Sequence, residues 1–131
     1  MSERNTHTTA GRLLPFKVAE ATLIEAGKMV AVGADGYAVE AADTAGLIVV
    51  GIAAETVDNS NGADGALAVT VRRGEVYKLN NGTTAVTQAG VGSTVVVEDD
   101  ETVTTAAAAT NDIVAGTCLG VEADGVWVAI G

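Results

Sequence analysis

Apolar and polar residues alternate most clearly between Ala63 and Leu79, in the segment ADGALAVTVRRGEVYKL. Leu67, Val69 and Val71 fall on one side of an extended chain and the residues between them on the other, a period of two that is typical of a half-buried strand. Gly74 then interrupts the alternation, at a position where a positive φ would allow a tight turn or a bulge, and a β-rich run follows. The pattern predicts a hairpin or a sharply bent strand in the middle of the chain.

The segments on either side of this strand resemble each other. From residue 27 the chain reads GKMVAVGADGYAVEA, an alanine-rich link, LIVVGIAAE and ADGALAVTV; from residue 92 it reads GSTVVVEDDETVTTA, an alanine-rich link, VAGTCLGVE and ADGVWVAI. Both runs pass through the same order of strand, turn, strand, link, glycine-containing strand and final strand. The sequence therefore predicts an internal duplication, with halves at about 27–74 and 92–131.

Turn signals between short runs decide the fold class. Ala34-Asp35-Gly36 and Asn80-Asn81-Gly82 are typical hairpin turns. The chain has 16 glycines and a single proline, and it is 48% hydrophobic but only 3% aromatic, so aliphatic side chains must fill the core. We expect one all-β domain, a small β-sandwich or β-barrel of short strands.

Charge narrows the classes of partner. The 17 acidic and 7 basic side chains give a formal net charge of −10. Such a balance disfavours nucleic acid and anionic membrane as partners, because both repel an acidic protein. The acidity also has a simpler interpretation as a solubility feature.

The N-terminus differs from the rest of the chain. Residues 1–12, MSERNTHTTAGR, are polar and without periodicity, and LLPFKV follows them. Because Pro15 cannot donate a backbone hydrogen bond, this segment fits an edge strand or an extended arm better than a central strand. We expect residues 1–16 to be a flexible arm and residues 17–131 to form the β domain.

The usual residues of catalysis are not combined in any recognisable motif. His7, the only histidine, lies in the predicted arm, and Cys118 has no histidine partner within the predicted β domain. Enzymes need acid, base or nucleophilic groups that converge. We therefore expect no enzymatic activity and no cofactor, and we interpret Cys118 as a buried structural thiol.

Two charged clusters have a functional and a plain interpretation. The run Glu98–Glu101 offers carboxylates to a cation such as calcium, but adjacent residues of a strand point to opposite sides, so a solvated hairpin tip is the alternative. Arg72 and Arg73 stand together in an acidic chain and could contact an acidic partner or a neighbouring subunit. Their plain interpretation is a local surface salt bridge.

Taken together, the segments AGKMVAVGADGYAVEAADTAG, LIVVGIAAE, ALAVTVRRGEVYKL and GVEADGVWVAIG make a small, acidic, Ala/Gly/Val-rich β protein. In this respect the chain resembles the small head decoration, or capsid-stabilising, proteins of tailed bacteriophages. The resemblance covers the chain from about Leu13 onward but includes no signature residue. It implies a homotrimer on the outer surface of the virion that binds the major capsid protein and clamps neighbouring capsid subunits.

Our hypothesis from the sequence is a non-enzymatic capsid cement protein. The arm would dock on the capsid by adding a strand to an exposed edge. Its candidate contact residues share a place at the end of the polar segment: Thr8, Thr9, Arg12, Leu13, Leu14 and Phe16. The alternatives are a ligand- or carbohydrate-binding β module on a virion surface, which the low aromatic content disfavours, and a tail-tube or baseplate structural protein.

Overall fold

The computed structural model describes residues 13–130. Within that range the chain folds into twelve β-strands and one 3₁₀ turn, with no α-helix, which confirms the all-β expectation. No helix in this part of the protein is long and apolar enough to cross a membrane. In chain order the strands are β1 Leu13–Lys17, β2 Thr22–Ile24, β3 Met29–Val32, β4 Ala38–Glu40, β5 Ile48–Ala53, β6 Val57–Asn59, β7 Ala68–Arg72, β8 Glu75–Asn81, β9 Thr94–Asp99, β10 Thr102–Thr105, β11 Val114–Glu122 and β12 Gly125–Ile130.

The first seven strands form the N-terminal unit. Five of them make one sheet in the order β1-β7-β5-β3-β4, in which every pair of neighbouring strands is antiparallel. A single parallel bridge joins Val18, just beyond β1, to Ala38 of β4. The sheet therefore curls until its two edges meet at one point. The short strands β2 and β6 pair with each other outside this sheet.

The last five strands form the C-terminal unit, a closed barrel in the order β10-β8-β12-β11-β9. Four of its pairings are antiparallel. The barrel closes by a parallel pairing between β8 and β10, in which Asn80 opposes Thr102 and Asn81 opposes Val103. Asn80 and Asn81 are thus strand residues, and the turn predicted there is wrong. The turn predicted at Asp35-Gly36 joins β3 to β4 as expected.

The two units have the same topology. Replacing β1, β7, β5, β3 and β4 by β8, β12, β11, β9 and β10 turns one strand order into the other, and both sheets meet through a parallel contact at the same corner. Local contacts repeat as well: the Gly27 amide donates to Ala53 O at 2.9 Å and the Gly92 amide donates to Cys118 O at 2.7 Å. The internal duplication is therefore present in the fold. Its units are wider than the predicted halves, because β1 and β8 open them.

The connection between the units is the segment that the sequence predicted as a hairpin or a bent strand. β7 pairs with β1 and β5, whereas β8 pairs with β12 and β10, so the two strands belong to different sheets. Gly74 makes the bend with a φ of 73°, and its amide donates to Ile130 O at 2.9 Å. The hairpin interpretation is wrong and the bent strand is correct.

Aliphatic side chains fill two clusters, as the composition predicted. One cluster lies inside the N-terminal unit and includes Val30, Val69 and Val71. The other fills the C-terminal barrel and extends to the outer face of β3 and β5, where Met29, Ala31 and Ile52 are buried. Burial of this outer face joins the two units into one body.

The predicted arm needs a correction at its boundary. Leu13, Leu14 and Phe16 belong to β1, which pairs with β7 along its whole length, so the folded unit begins at least four residues before position 17. The backbone of β1 pairs with β7 there instead of with water, and the side chain of Phe16 packs against the core of the unit. The remainder of the predicted arm, residues 1–12, lies outside the described residues.

Candidate docking surface

The strand β1 forms an edge of the N-terminal unit. Its residues pair with β7 from Leu13 opposite Arg72 to Lys17 opposite Ala68. Along its other edge, the described part of the chain offers no strand to β1 apart from the single bridge at Val18. Pro15 is tolerated in such an edge strand because it has no amide hydrogen to leave unpaired. The open edge can therefore accept a strand from a partner.

The side chains of β1 alternate between the core and the solvent. Leu14 and Phe16 are half-buried, whereas Leu13, Pro15 and Lys17 are exposed. Leu13 keeps 55% of its surface accessible. Leu13 thus adds exposed apolar area to a strand edge that can pair with another chain.

A row of cross-strand neighbours leads from this edge into the contact between the units. Leu13 opposes Arg72 in β7, Arg72 opposes Ile52 in β5, and Ile52 opposes Met29 in β3. Ile52 and Met29 are buried beneath the C-terminal unit, whereas Leu13 and Arg72 remain exposed. The candidate docking surface consists of the β1 edge with Leu13 and Arg72.

The two adjacent arginines have different surroundings. Arg73 is half-buried, and its Nε donates to Val50 O at 3.0 Å, which ties the bend between the units to β5. Arg72 is exposed. In residues 13–130 the recorded ion pairs involve Lys28 and Lys78 but neither arginine. Arg73 is thus part of the fold, whereas the side chain of Arg72 is accessible to a partner.

The acidic turn Glu98–Glu101 serves as a clamp between the units. Lys28 Nζ lies 2.8 Å from Glu101 Oε2 and 3.4 Å from Asp100 Oδ1. The hydrogen bond to Glu101, with the nearby charge of Asp100, raises the pKa of Lys28. Glu98 Oε1 accepts a hydrogen bond from the Thr83 amide. No group of three or more metal-binding side chains among the described residues could hold a cation, here or elsewhere.

A second polar cluster lies on the outside of the barrel and was missed in the sequence. Lys78 Nζ lies 2.7 Å from Asp124 Oδ1 and 5.8 Å from the centre of the Trp127 ring, and Trp127 Nε1 donates to Glu122 at 3.0 Å. The hydrogen bond to Asp124 raises the pKa of Lys78. The only sequence signal for this cluster was the strand alternation around Trp127. That alternation does not show which strands pair with β12, and so it could not place Lys78 beside Trp127.

An open depression of about 300 Å³ lies at the foot of the same face. It is lined by Val76, Thr117 and Ala129 together with Gly74, Glu75 and Ile130. Val76 opposes Ala129, and Ala129 opposes Thr117, so the depression runs across three neighbouring strands. Its walls hold one carboxylate and otherwise small or aliphatic side chains.

Cys118 is fully buried in the barrel core, which confirms its interpretation as a buried thiol. Thr8, Thr9 and Arg12, the other residues predicted for docking, lie outside the described range. Comparison with family models, with curated proteins and with solved structures finds no match to this chain.

Proposed function

We propose that this protein is a non-enzymatic virion structural protein that binds the outside of a tailed-phage capsid, as a homotrimer on the major capsid protein, and stabilises the shell. The observation that carries the proposal is the open edge of β1 beside Leu13 and Arg72. Free backbone groups of an edge strand bind an extended partner segment through main-chain hydrogen bonds, whose strength depends little on sequence. The polar residues 1–12 are joined directly to this edge.

The chemistry of the edge fits a protein partner. Leu13 offers apolar area and Arg72 offers a cation, in a chain whose net charge is −10. An acidic or neutral loop of a capsid protein would contact Arg72. The negative charge on the rest of this protein's surface would limit nonspecific contacts with other acidic proteins. Many copies on one shell make individually weak contacts collectively strong.

Point variants of the full chain test the docking surface. Leu13→Glu and Arg72→Glu should abolish co-sedimentation with undecorated heads of the phage whose genome carries the coding sequence, because each places a carboxylate against the docked segment. Leu23→Glu is the matched control, since Leu23 is an exposed leucine of β2 at 42% accessibility. Wild-type protein that does not bind such heads, or a coding sequence outside any phage or prophage, would refute the proposal.

The depression on the barrel supports one alternative, a ligand-binding module. Trp127, the only tryptophan, does not line it, and the ring is engaged by Lys78 and Glu122. Sugar sites usually stack the ligand on an aromatic face. Binding on a glycan array that is lost in Thr117→Trp would favour this alternative over capsid binding.

A further inference from the structure

The two units of the chain meet through unlike surfaces. On the N-terminal unit the contact is the outer face of β3 and β5, formed by Met29, Ala31, Val49 and Ile52, and we call it the receiving face. On the C-terminal unit it is the end of the barrel where β9 and β12 finish and β10 and β11 begin, and we call it the inserting end. The Met29 amide donates to Asp100 O of this end at 2.7 Å.

Polar contacts fix the inserting end at its rim. Lys28 binds Asp100 and Glu101, and both carboxylate oxygens of Asp43 accept backbone hydrogen bonds from the loop before β11, from the Thr110 and Asn111 amides at 2.9 and 2.8 Å. Apolar residues of the same end, Ile113 and Ile130, belong to the cluster that includes the receiving face. The contact is therefore heterologous: the face of one unit meets the end of the other.

Because the units are copies, each has a receiving face and an inserting end, and only one of each is used. The strand registers establish the correspondence: Met29 opposes Ile52 and Ala31 opposes Val49, just as Thr94 opposes Thr117 and Val96 opposes Val114. The second receiving face, on the C-terminal unit, thus consists of Thr94, Val96, Val114 and Thr117.

The second receiving face is exposed at Thr94, Val114 and Thr117, whereas Val96 is already buried within the chain at 2% accessibility. Val49 packs against the shared core, whereas its counterpart Val114 is 56% exposed. Thr117, the counterpart of the buried Ile52, lines the open depression of about 300 Å³. The open depression therefore adjoins the second receiving face and shares Thr117 with it.

The second inserting end, on the N-terminal unit, is uncovered too. Ile113 begins the corresponding region of the barrel and is 7% exposed, whereas its counterpart Ile48 is 66% exposed. The turn at Asp35-Gly36 stands in the place of Asp100-Glu101, and both of its residues are exposed. Ile48 is the most accessible large apolar side chain among the described residues. It lies on the end of the N-terminal unit whose counterpart in the barrel is buried.

We infer that a second copy of this chain docks here, with its Ile48 end inserted onto the face formed by Val114 and Thr117, so that the packing within the chain is repeated between chains. A heterologous contact leaves one free end and one free face on every pair. Association therefore continues until the ring closes, or it extends as a filament if the rotation does not close. The internal contact supplies the template for the geometry.

The contact between chains should be weaker than the one within the chain. Lys28 and Asp43, which clamp the internal contact, correspond to Ser93 and Ala108 on the second face, so the ion pairs and the carboxylate hydrogen bonds are missing there. Thr94 and Thr117 replace Met29 and Ile52, which reduces the apolar area. Reversible, concentration-dependent association follows.

The inference rests on the part of the proposed function in which copies associate, and it names the surfaces. Its receiving face, Val114 with Thr117, belongs to the C-terminal unit and not to the docking surface, so Val114→Glu tests self-association without changing Leu13 or Arg72. A head-binding experiment with a monomeric variant distinguishes the two proposals. If the variant binds heads and the free wild-type protein does not self-associate, this inference alone is overturned.

Complementation between two variants of the full chain tests the contact. Ile48→Glu disables the inserting end and Val114→Glu disables the receiving face, and each alone should weaken self-association by about 100-fold, because a carboxylate is buried without a partner. Mixed in equal amounts, the intact face of the first variant meets the intact end of the second. Light scattering after size exclusion should then give one 1:1 dimer and nothing larger.

Three results would overturn the proposal: a wild-type protein that stays monomeric at millimolar concentration, single variants that associate like the wild type, or a mixture that remains monomeric. Leu23→Glu, which changes an exposed leucine away from both surfaces, should associate normally. Since Ile48 and Val114 are exposed, thermal unfolding should be unchanged. If a variant fails to fold, Ile48→Ser and Val114→Ser replace the pair with smaller changes.

Discussion

Gly51 and Gly116 occupy the same place in the two units, and each touches the strand beside it closely. A Cβ atom at Gly51 would lie 2.1 Å from Arg72 O, and one at Gly116 would lie 2.1 Å from Ala129 O. A register shift occurs beside each glycine, in the pairings of β3 with β5 and of β9 with β11. Both units therefore bend a strand at the point where only glycine fits.

Gly116→Ala should destabilise the protein by about 1–3 kcal/mol or more, because the added methyl group meets backbone that cannot move aside without breaking the β11–β12 pairing. Gly120→Ala is the control in the same strand, since a Cβ there meets the nearest atom, Trp127 Cδ1, at an ordinary 3.5 Å. Urea unfolding of both variants measures the difference. Equal stability of the two would show that the strands tolerate the extra group.

Arg73→Met should lower the free energy of unfolding by about 1 kcal/mol, because it removes the hydrogen bond from Nε to Val50 O at the bend between the units. Arg72→Met removes the same charge from an exposed position and should change stability by less than about 0.5 kcal/mol. Thermal and urea unfolding compare the two. A larger effect at Arg72 would contradict the assignment of Arg73 as the structural arginine.

Asn59→Ala should cost about 1–3 kcal/mol of unfolding free energy, because two backbone carbonyls lose the donor that this buried side chain supplies. Asn59 is 2% exposed, and its Nδ2 donates to Ala19 O at 2.8 Å and to Ala63 O at 3.1 Å. These bonds hold the loop that follows β6, which has no counterpart in the C-terminal unit. Asn61→Ala, at an exposed position of the same loop, should leave unfolding unchanged; if it is as harmful, the loop is held otherwise.

Asp43→Asn should make the free energy of unfolding less dependent on pH in the acidic range. The Asn111 and Thr110 amides that bind this carboxylate lower the pKa of Asp43. A group whose folded-state pKa is lowered contributes stability above its unfolded value, near 4, and that contribution is lost as the pH falls through the folded value. The melting temperature of Asp43→Asn should therefore be below that of the wild type at pH 7, and the gap should narrow as the pH falls below about 4.

Glu55→Gln is the control for this titration, because Glu55 is an exposed carboxylate away from the contact between the units. Its melting temperature should match that of the wild type at pH 7. A gap for Asp43→Asn that does not narrow as the pH falls below about 4 would show that the charge of Asp43 does not stabilise the contact.

Part of the docking surface could be predicted from the sequence. Pro15 fixed an edge position for LLPFK because proline has no amide hydrogen, and that prediction holds in β1. The boundary after residue 16 could not be read, since Leu14 and Phe16 gain burial only when β7, more than 50 residues later, lies beside them. The different roles of Arg72 and Arg73 likewise depend on β5, which lies about 20 residues earlier in the chain and accepts the hydrogen bond of Arg73.

The all-β class with short strands, the aliphatic core and the duplication were determined by the sequence itself, because period-two alternation and glycine positions act over a few residues. Which strands pair was decided only by the tertiary structure. Asn80 and Asn81 favour a local turn, yet the parallel closure with β10 places them in a strand. Two copies of one pattern also differ in burial, as Ile48 and Ile113 do, because only one of them lies under the other unit. Local propensity is the same for both residues, and long-range packing sets their exposure.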